Sequence, residues 1–239
     1  MNKPLISIII PIYNRVNLLP KVLQSIKNQT YKNIEVIIVD DGSQPAVHSS
    51  QFLFHSRDLS IKLIRQENMG APVARNRGLS EAEGEYVIFW DADVIGRPDM
   101  LDKMYEILQE NSDVSYAYSN FQFSIFKKKM LARGFNLDEL KKNNFIHSTS
   151  LIRRRDVIKW DESLKRFQDW DLWLSMSEEG KNGVWVDEYL FTVLGGGTMS
   201  GWLPRIAYIA PFKYFPAIAR RVKNYTKAKE IVQIKYNLK

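Results

Sequence analysis

The chain has 239 residues, 45% hydrophobic and 26% charged, an ordinary globular composition with enough chain to bury a core. It has no cysteine, which excludes disulfides, a thiol nucleophile and a cysteine-based zinc site and fits a reducing compartment. The net charge of +7 sits at one end: residues 203–239 hold nine Lys/Arg and one acid, Glu230, so residues 1–202 keep 25 basic and 26 acidic side chains, a net of −1. A nucleic-acid footprint should cross a folded face, so the balanced body counts against a nucleic-acid partner.

The first apolar run, Leu5 to Tyr13, is too short to span a bilayer, and no small-residue cleavage site follows it. Its near-continuous β-branched stretch Leu5 to Pro11 predicts a buried parallel strand. Leu18, Leu19, Val22, Leu23 and Ile26 recur at helical spacing. Ile34 to Val39 predicts a second strand running into Asp40-Asp41-Gly42-Ser43, and Ile61 to Ile64 a short third. A helix is expected from Gly70 to Ser80, a fourth strand from Glu85 to Trp90, and a further helix from Met100 to Leu108. This rhythm predicts an α/β fold with a doubly wound, mostly parallel sheet over residues 4–111.

The second half is less regular. Val114 to Phe123 alternates aromatic and polar residues, predicting a half-exposed strand. Phe126 to Asn144 is basic and broken by Gly134, predicting a loop with a short helix near Leu137 to Lys142. Phe145 to Ile152 reads as a strand, Gln168 opens a helix, and Val184 to Leu194 forms a last strand before Gly195-Gly196-Gly197. In the tail, Ile206 to Phe212 and Tyr214 to Ala219 are apolar and aromatic, with Lys213, Arg220, Arg221 and Lys223 around them. Pro211 and Pro216 forbid one straight helix and predict two short segments. These either pack on the body or lie on a membrane surface, with the basic residues drawn to anionic lipid.

Three strand ends carry the chemistry. In an extended backbone Asp91 and Asp93 would face one spot past the end of the fourth strand, where open α/β sheets bind ligands. Carboxylate oxygens suit Mg²⁺ or Mn²⁺, which clamp phosphates; the bland reading makes Asp93 and Asp99 turn and cap residues. Asp41 can accept hydrogen bonds from a base or ribose, or simply close an Asp-Gly turn. Arg75 and Arg77 face different sides of their helix, so one can reach an anion while the other is solvated. Asp169 is either an N-cap or, beside Trp170 and Trp173, a general base at an acceptor cleft.

Pro11-Ile12-Tyr13-Asn14, Val39 to Ser43, Asn68-Met69-Gly70, Ala74-Arg75-Asn76, Gly84 to Asp93 and Gln168-Asp169-Trp170-Asp171 occur in one order. Together they resemble an inverting glycosyltransferase of family 2 with the GT-A fold, over roughly residues 4–200. The resemblance implies a GT-A domain over 1–202, with a nucleotide-binding half at 1–111 and an acceptor-binding half at 112–202. Residues 203–239 would then be a basic, partly helical appendage. It implies that Pro11, Tyr13, Asp41 and Arg75 hold the nucleotide, that Asp91 lies beside ribose and diphosphate, that Asp93 of this Asp-x-Asp motif binds Mn²⁺ or Mg²⁺, and that Asp169 is the catalytic base. The implied donor is a nucleotide-diphosphate sugar, first of all a UDP-sugar. The implied acceptor is a saccharide or a lipid-linked glycan of polysaccharide or glycolipid synthesis, handled in the cytoplasm at the inner face of the membrane. One departure is visible: many relatives carry a histidine after the last strand, and Gly195 to Ser200 has none. A catalytically degenerate nucleotide-sugar-binding module, a nucleotidyltransferase on a related sheet and a nucleic-acid binder are the competing readings. The first loop lacks the glycines and lysine that a nucleotidyltransferase would favour.

Overall fold

The computed structural model describes residues 3–52, 59–195 and 215–238. Its strands are β1 (Ile6–Ile12), β2 (Ile34–Asp41), β3 (Ser60–Gln66), β4 (Tyr86–Phe89), β5 (Val94–Gly96), β6 (Tyr116–Phe123), β7 (Lys129–Met130), β8 (Leu151–Arg153) and β9 (Gly183–Val193). Its helices are α1 (Leu19–Lys27), α2 (Ala71–Ser80), α3 (Met100–Glu110), α4 (Leu137–Lys142), α5 (Gln168–Glu178) and α6 (Pro216–Lys235).

The strands form one sheet in the order β3-β2-β1-β4-β8-β6-β9-β5, with β7 added to β6. From β3 to β4 every pairing is parallel, and Ile8 is in register with Val36 on one side and Ile88 on the other. The chain winds outward from β1 to β3, then returns to place β4 on the other side of β1. That reversal opens a crevice past the carboxyl ends of β1 and β4.

The strand period of two explains why the apolar runs are continuous. Ile6, Ile8, Ile10 and Ile12 point to one face, under α1 and α3, while Ile9 points to the other, under α2. The second core continues through Leu140 of α4, Trp170 and Trp173 of α5 and Val232 of α6. Helix α2 lies so close to the sheet that a Cβ on Gly78 would stand 2.4 Å from Ile9 Cγ2. Glycine there lets the helix seat, and it fixes how far Arg75, one turn earlier, stands above the sheet.

The second half departs from several sequence expectations. Strand β6 is an interior strand between β8 and β9 and is buried over residues 116–120 rather than half exposed. Its polar residues are paired inside: Asn120 Nδ2 donates to Asp187 at 3.0 Å, and Asn120 Oδ1 accepts from Ala132 N at 2.8 Å. Between Phe145 and Ile152 the only ladder is at β8. Upstream, Asn144 Oδ1 accepts from Ile146 N, Ser150 Oγ donates to the His147 carbonyl, and His147 Nδ1 accepts from Thr149 N. Such local bonds compete with strand pairing and leave a shaped loop. Strands β5 and β7 are too short to leave a pattern in the sequence. In the tail, Pro216 starts one 20-residue helix rather than ending a short segment, since the first helical position needs no N–H. Residues 206–214 of the expected surface segments lie outside the described residues.

Candidate active site

A cavity of about 520 Å³ opens past the ends of β1, β2 and β4. That size suits a cofactor or nucleotide. All seven residues singled out in the sequence line it: Pro11, Tyr13, Asp41, Arg75, Asp91, Asp93 and Asp169. Parallel pairing brings the first strand ends together, because Ile12 and Asp40 are directly opposite. Tyr13 follows β1 and keeps 45% of its surface exposed at the mouth.

Asp41 ends β2 with its carboxylate already employed. Oδ1 accepts from Met69 N and Gln66 Nε2, and Oδ2 accepts from Gly70 N. It thereby ties the turn that launches α2 to the end of the sheet. Gly42, next in sequence, adopts φ +79°, and a Cβ there would meet Asn68 N at 2.8 Å. Asp41 and Gly42 thus hold the Asn68 turn against the site.

Arg75 is 4% exposed and spans the crevice. Its Nη2 donates to Asp91 Oδ1 at 2.8 Å, its Nη1 donates to Gln168 Oε1 at 3.0 Å, and its guanidinium lies over the Trp160 ring. Arg77, on the other side of the helix, is exposed and pairs with Glu81, as the spacing expected. Ser148 Oγ donates to Asp91 Oδ2 at 2.9 Å, so both oxygens of Asp91 are gripped. Burial works to raise the Asp91 carboxyl, but the charge of Arg75 and these bonds outweigh it and hold it below the usual range.

Asp93 is placed differently from expectation. Strand β4 stops at Phe89, and the chain makes a turn closed by Val94 N to the Asp91 carbonyl at 3.0 Å. Asp91 and Asp93 share the cavity through this turn rather than through extended backbone. Burial and the neighbouring charge of Asp91 push Asp93 up to about 6, with Arg15 offsetting part of this. Asp91 is balanced by Arg75, whereas Asp93 is offset only in part by Arg15. Hard oxygen donors short of counter-charge fit Mg²⁺ or Mn²⁺ bound mainly through phosphates and water. Among the described residues no group of three or more His, Cys, Asp or Glu gathers to hold a metal alone.

Asp169 lines the same cavity from the first turn of α5. The N-cap of α5 is Phe167, left-handed at φ 57°, so Asp169 lies inside the first turn and is not the cap. Its Oδ1 accepts from Trp170 N at 2.9 Å. Burial pushes it up to about 6, with Asp91 adding to the rise and the Trp170 N–H and Arg75 opposing it. A carboxylate tuned near neutrality suits proton abstraction.

Sequence reasoning missed several cavity residues. His147 packs at a tilt against both rings of the stacked pair Phe121 and Phe191, with centroids 4.8 and 5.0 Å away. Its Nδ1 accepts from Thr149 N at 3.0 Å, which leaves the ring proton on Nε2, and burial lowers its pKa. Ser148 bonds Asp91, 57 residues away, and Gln168, although it belongs to the Gln168 to Asp171 block, carries no local signal of its bond to Arg75. Arg15 and Arg166 add two cations to the wall, at which a diphosphate can be met.

The model of the family "Glycosyl transferase family 2" matches residues 7–160. An uncharacterized glycosyltransferase of Haemophilus influenzae is 31% identical over 190 residues, covering 77% of this chain and 76% of that one. Other relatives are longer: the chain spans 39% of the Streptococcus pneumoniae glycosyltransferase GlyG. Among solved structures, S. aureus TarS in complex with UDP-GlcNAc aligns with a TM-score of 0.67 at 21% identity, over 83% of this chain and 61% of that one. The mannosyltransferase PcManGT of Pyrobaculum calidifontis, in complex with GDP-Man and Mn²⁺, aligns with a TM-score of 0.65 at 18% identity, over 97% of this chain and 70% of that one. The shared fold is the mixed α/β GT-A architecture with its mostly parallel sheet.

Proposed function

The chain belongs to glycosyl transferase family 2, and from that premise we propose that it moves a sugar from a nucleotide-diphosphate sugar to an acceptor hydroxyl with inversion. The observation that carries this reading is one cavity, at the ends of β1, β2 and β4, that holds Asp169, tuned to about 6, together with the Asp91–Asp93 turn. Pro11, Tyr13 and the Asp41-braced turn cradle the nucleotide, and Arg75 keeps Asp91 ionised beside ribose and diphosphate. Asp93 would hold the divalent cation, Mn²⁺ or Mg²⁺, which when bound neutralises charge on the leaving diphosphate.

Asp169 takes the proton from the acceptor hydroxyl as its oxygen bonds to the anomeric carbon. The bond from that carbon to the diphosphate breaks, and the nucleoside diphosphate leaves with the electron pair. A single displacement from the side facing Asp169 swaps the anomeric face. Arg15 and Arg166 meet the remaining negative charge of the diphosphate. The donor class follows the relatives in complex with UDP-GlcNAc and GDP-Man, and UDP-sugars are our first choice.

The acceptor in this reading is a saccharide or a lipid-linked glycan. Arg220, Arg221, Lys223 and Lys227 are exposed on α6 and supply the charge for contact with an anionic leaflet. No helix among the described residues is long and apolar enough to cross a membrane. Loss of sedimentation with anionic vesicles on changing Arg220, Arg221 and Lys223 to Glu is expected; unchanged sedimentation would end the lipid-contact reading.

The transfer reading is tested by screening UDP-, GDP- and dTDP-sugars with and without Mn²⁺, then assigning the product's anomeric configuration by NMR. One donor class consumed with inverted configuration is expected. Retention, or binding of donors without any turnover, would contradict it.

A further inference from the structure

Two residues beyond Asp169, Asp171 is 2% exposed, an acid buried on the far side of the same helix turn. Each helical residue advances about 100°, so Asp171 stands about 200° around the axis from Asp169 and faces away from the cavity. What satisfies it comes from the end of the chain. Lys235 Nζ lies 2.7 Å from Asp171 Oδ1 and 2.8 Å from Asp161 Oδ2, bridging α5 to the loop before it. Tyr236 Oη donates to Asp171 Oδ1 at 2.8 Å, and Ser175 Oγ, one turn along α5, closes the group. A phenol has one proton to give, so Tyr236 donates to Asp171 and accepts from Ser175.

The grip extends to both neighbours of the catalytic turn. Tyr225 packs edge-on against Phe167, the left-handed cap of α5, with centroids 5.0 Å apart. Lys229 lies over the Trp170 ring at 5.9 Å. Phe167, Trp170 and Asp171 are spaced i, i+3 and i+4, so they form one face, and α6 covers it. The residues between them, Gln168 and Asp169, are left to the cavity. Gln168 is in turn held by Arg75 from the donor side.

We propose that α6 is a positioning element of the active site, and that the Lys235–Tyr236 grip on Asp171 sets the place of the Asp169 carboxylate. The inference rests on Asp169 being the base. Lys235 and Tyr236 touch no substrate and act through α5. A shift of about 1 Å in a reacting group costs up to roughly 100-fold in rate, so a loosened turn should show in turnover before it shows in binding.

The test uses the full chain and whichever nucleotide sugar of the donor screen is turned over fastest. Tyr236→Phe, Lys235→Met, their combination and the conservative Lys235→Arg are compared well below their melting temperatures. The double variant should keep the donor KM within about 2-fold and lose roughly 10- to 100-fold in kcat. Lys235→Arg should keep most of kcat, because the cation is retained. Unchanged kcat in folded double variant, or a loss carried wholly by donor KM, would overturn the inference. Should the double variant not fold, Tyr236→Phe, which removes a single oxygen, decides by the same split between kcat and KM. Asp169→Asn is run beside them. An active Asp169→Asn overturns the base assignment, whereas an inactive Asp169→Asn with a fully active Lys235→Met overturns only the role of α6.

Discussion

On the proposed donor side of the cavity, Pro11, Asp41 and Asp91 sit at or just past the ends of three parallel strands, and strand pairing alone brings them together. On the proposed acceptor side, His147 and Ser148 come from a loop and Asp169 from a helix turn, and no ladder fixes any of them. There the work falls to bonds made by side chains: the His147 ring with the backbone N–H of Thr149, Ser148 on Asp91, Arg75 on Gln168, and Lys235 with Tyr236 on Asp171. One side inherits its geometry from the sheet. The other assembles it from buried polar pairs, each of which is a place where a single substitution can undo the site.

The largest effect expected from breaking this contrast is on the acceptor side. Asp169→Asn should lower turnover by about 10²- to 10⁴-fold, with donor affinity nearly intact. Isothermal titration with donor and steady-state kinetics on the same sample check it. If turnover survives and only the melting temperature moves, Asp169 is a structural residue of the first helical turn.

Arg75 joins the two sides, so its removal should hurt both. Arg75→Met leaves Asp91 with Ser148 alone; breaking a fully buried pair by removing one partner costs about 3–5 kcal/mol, and the 25% exposure of Asp91 lowers that to about 2–4 kcal/mol. For a chain of this size that lowers Tm by roughly 5–15 °C, as calorimetry would show. A neutral effect on Tm would mean that water replaces the guanidinium at no cost.

Asp93→Ala should act on the donor side only. Donor affinity should become independent of Mn²⁺ while far-UV circular dichroism stays unchanged. Equal donor affinity with and without Mn²⁺ in both proteins would remove Asp93 from the metal reading.

The smallest expected effect has the opposite sign. Asp169 rises from 3.8 to about 6 on folding, so the folded state holds its proton more tightly than the unfolded state. Ionising it therefore costs stability progressively between those values, and the cost is complete above about pH 6. Asp169→Asn should stabilise the protein at pH 7 by about 1 kcal/mol, since the half-buried carboxylate is still reached by solvent from the cavity. The gain should vanish near pH 4; the same gain at both pH values would show that charge is not its cause.

How much was legible in the sequence follows the same division. The continuous runs Ile6 to Pro11 and Ile34 to Val39 specify buried parallel strands, and with them the edge at which Pro11, Asp41 and Asp91 meet. Those residues could be named without coordinates because parallel pairing does not depend on distant side chains. The loop from Phe145 to Ser150 could not. Phe145, Ile146 and Thr149, running into Leu151 and Ile152, predict a strand, and only the bonds of Asn144, His147 and Ser150 to nearby backbone turn it into a loop that presents His147 and Ser148. The bond between Asp171 and Tyr236 spans 65 residues of chain, and neither residue carries a local signal for it. Asp91 and Asp93 were placed correctly in one cavity for a reason the structure replaces: a turn, not an extended strand end, carries them.

The most direct measurement is the pH dependence of kcat/KM for wild type and Asp169→Asn, from pH 5 to 9 with Mn²⁺ saturating. In wild type the rate should fall as pH drops through about 6, because Asp169 must be ionised to take the acceptor proton. Asp169→Asn should run about 10²- to 10⁴-fold lower and lose that group from its acid limb. An Asp169→Asn enzyme with the wild-type rate and the wild-type acid limb would contradict the assignment of the base and the account built on it.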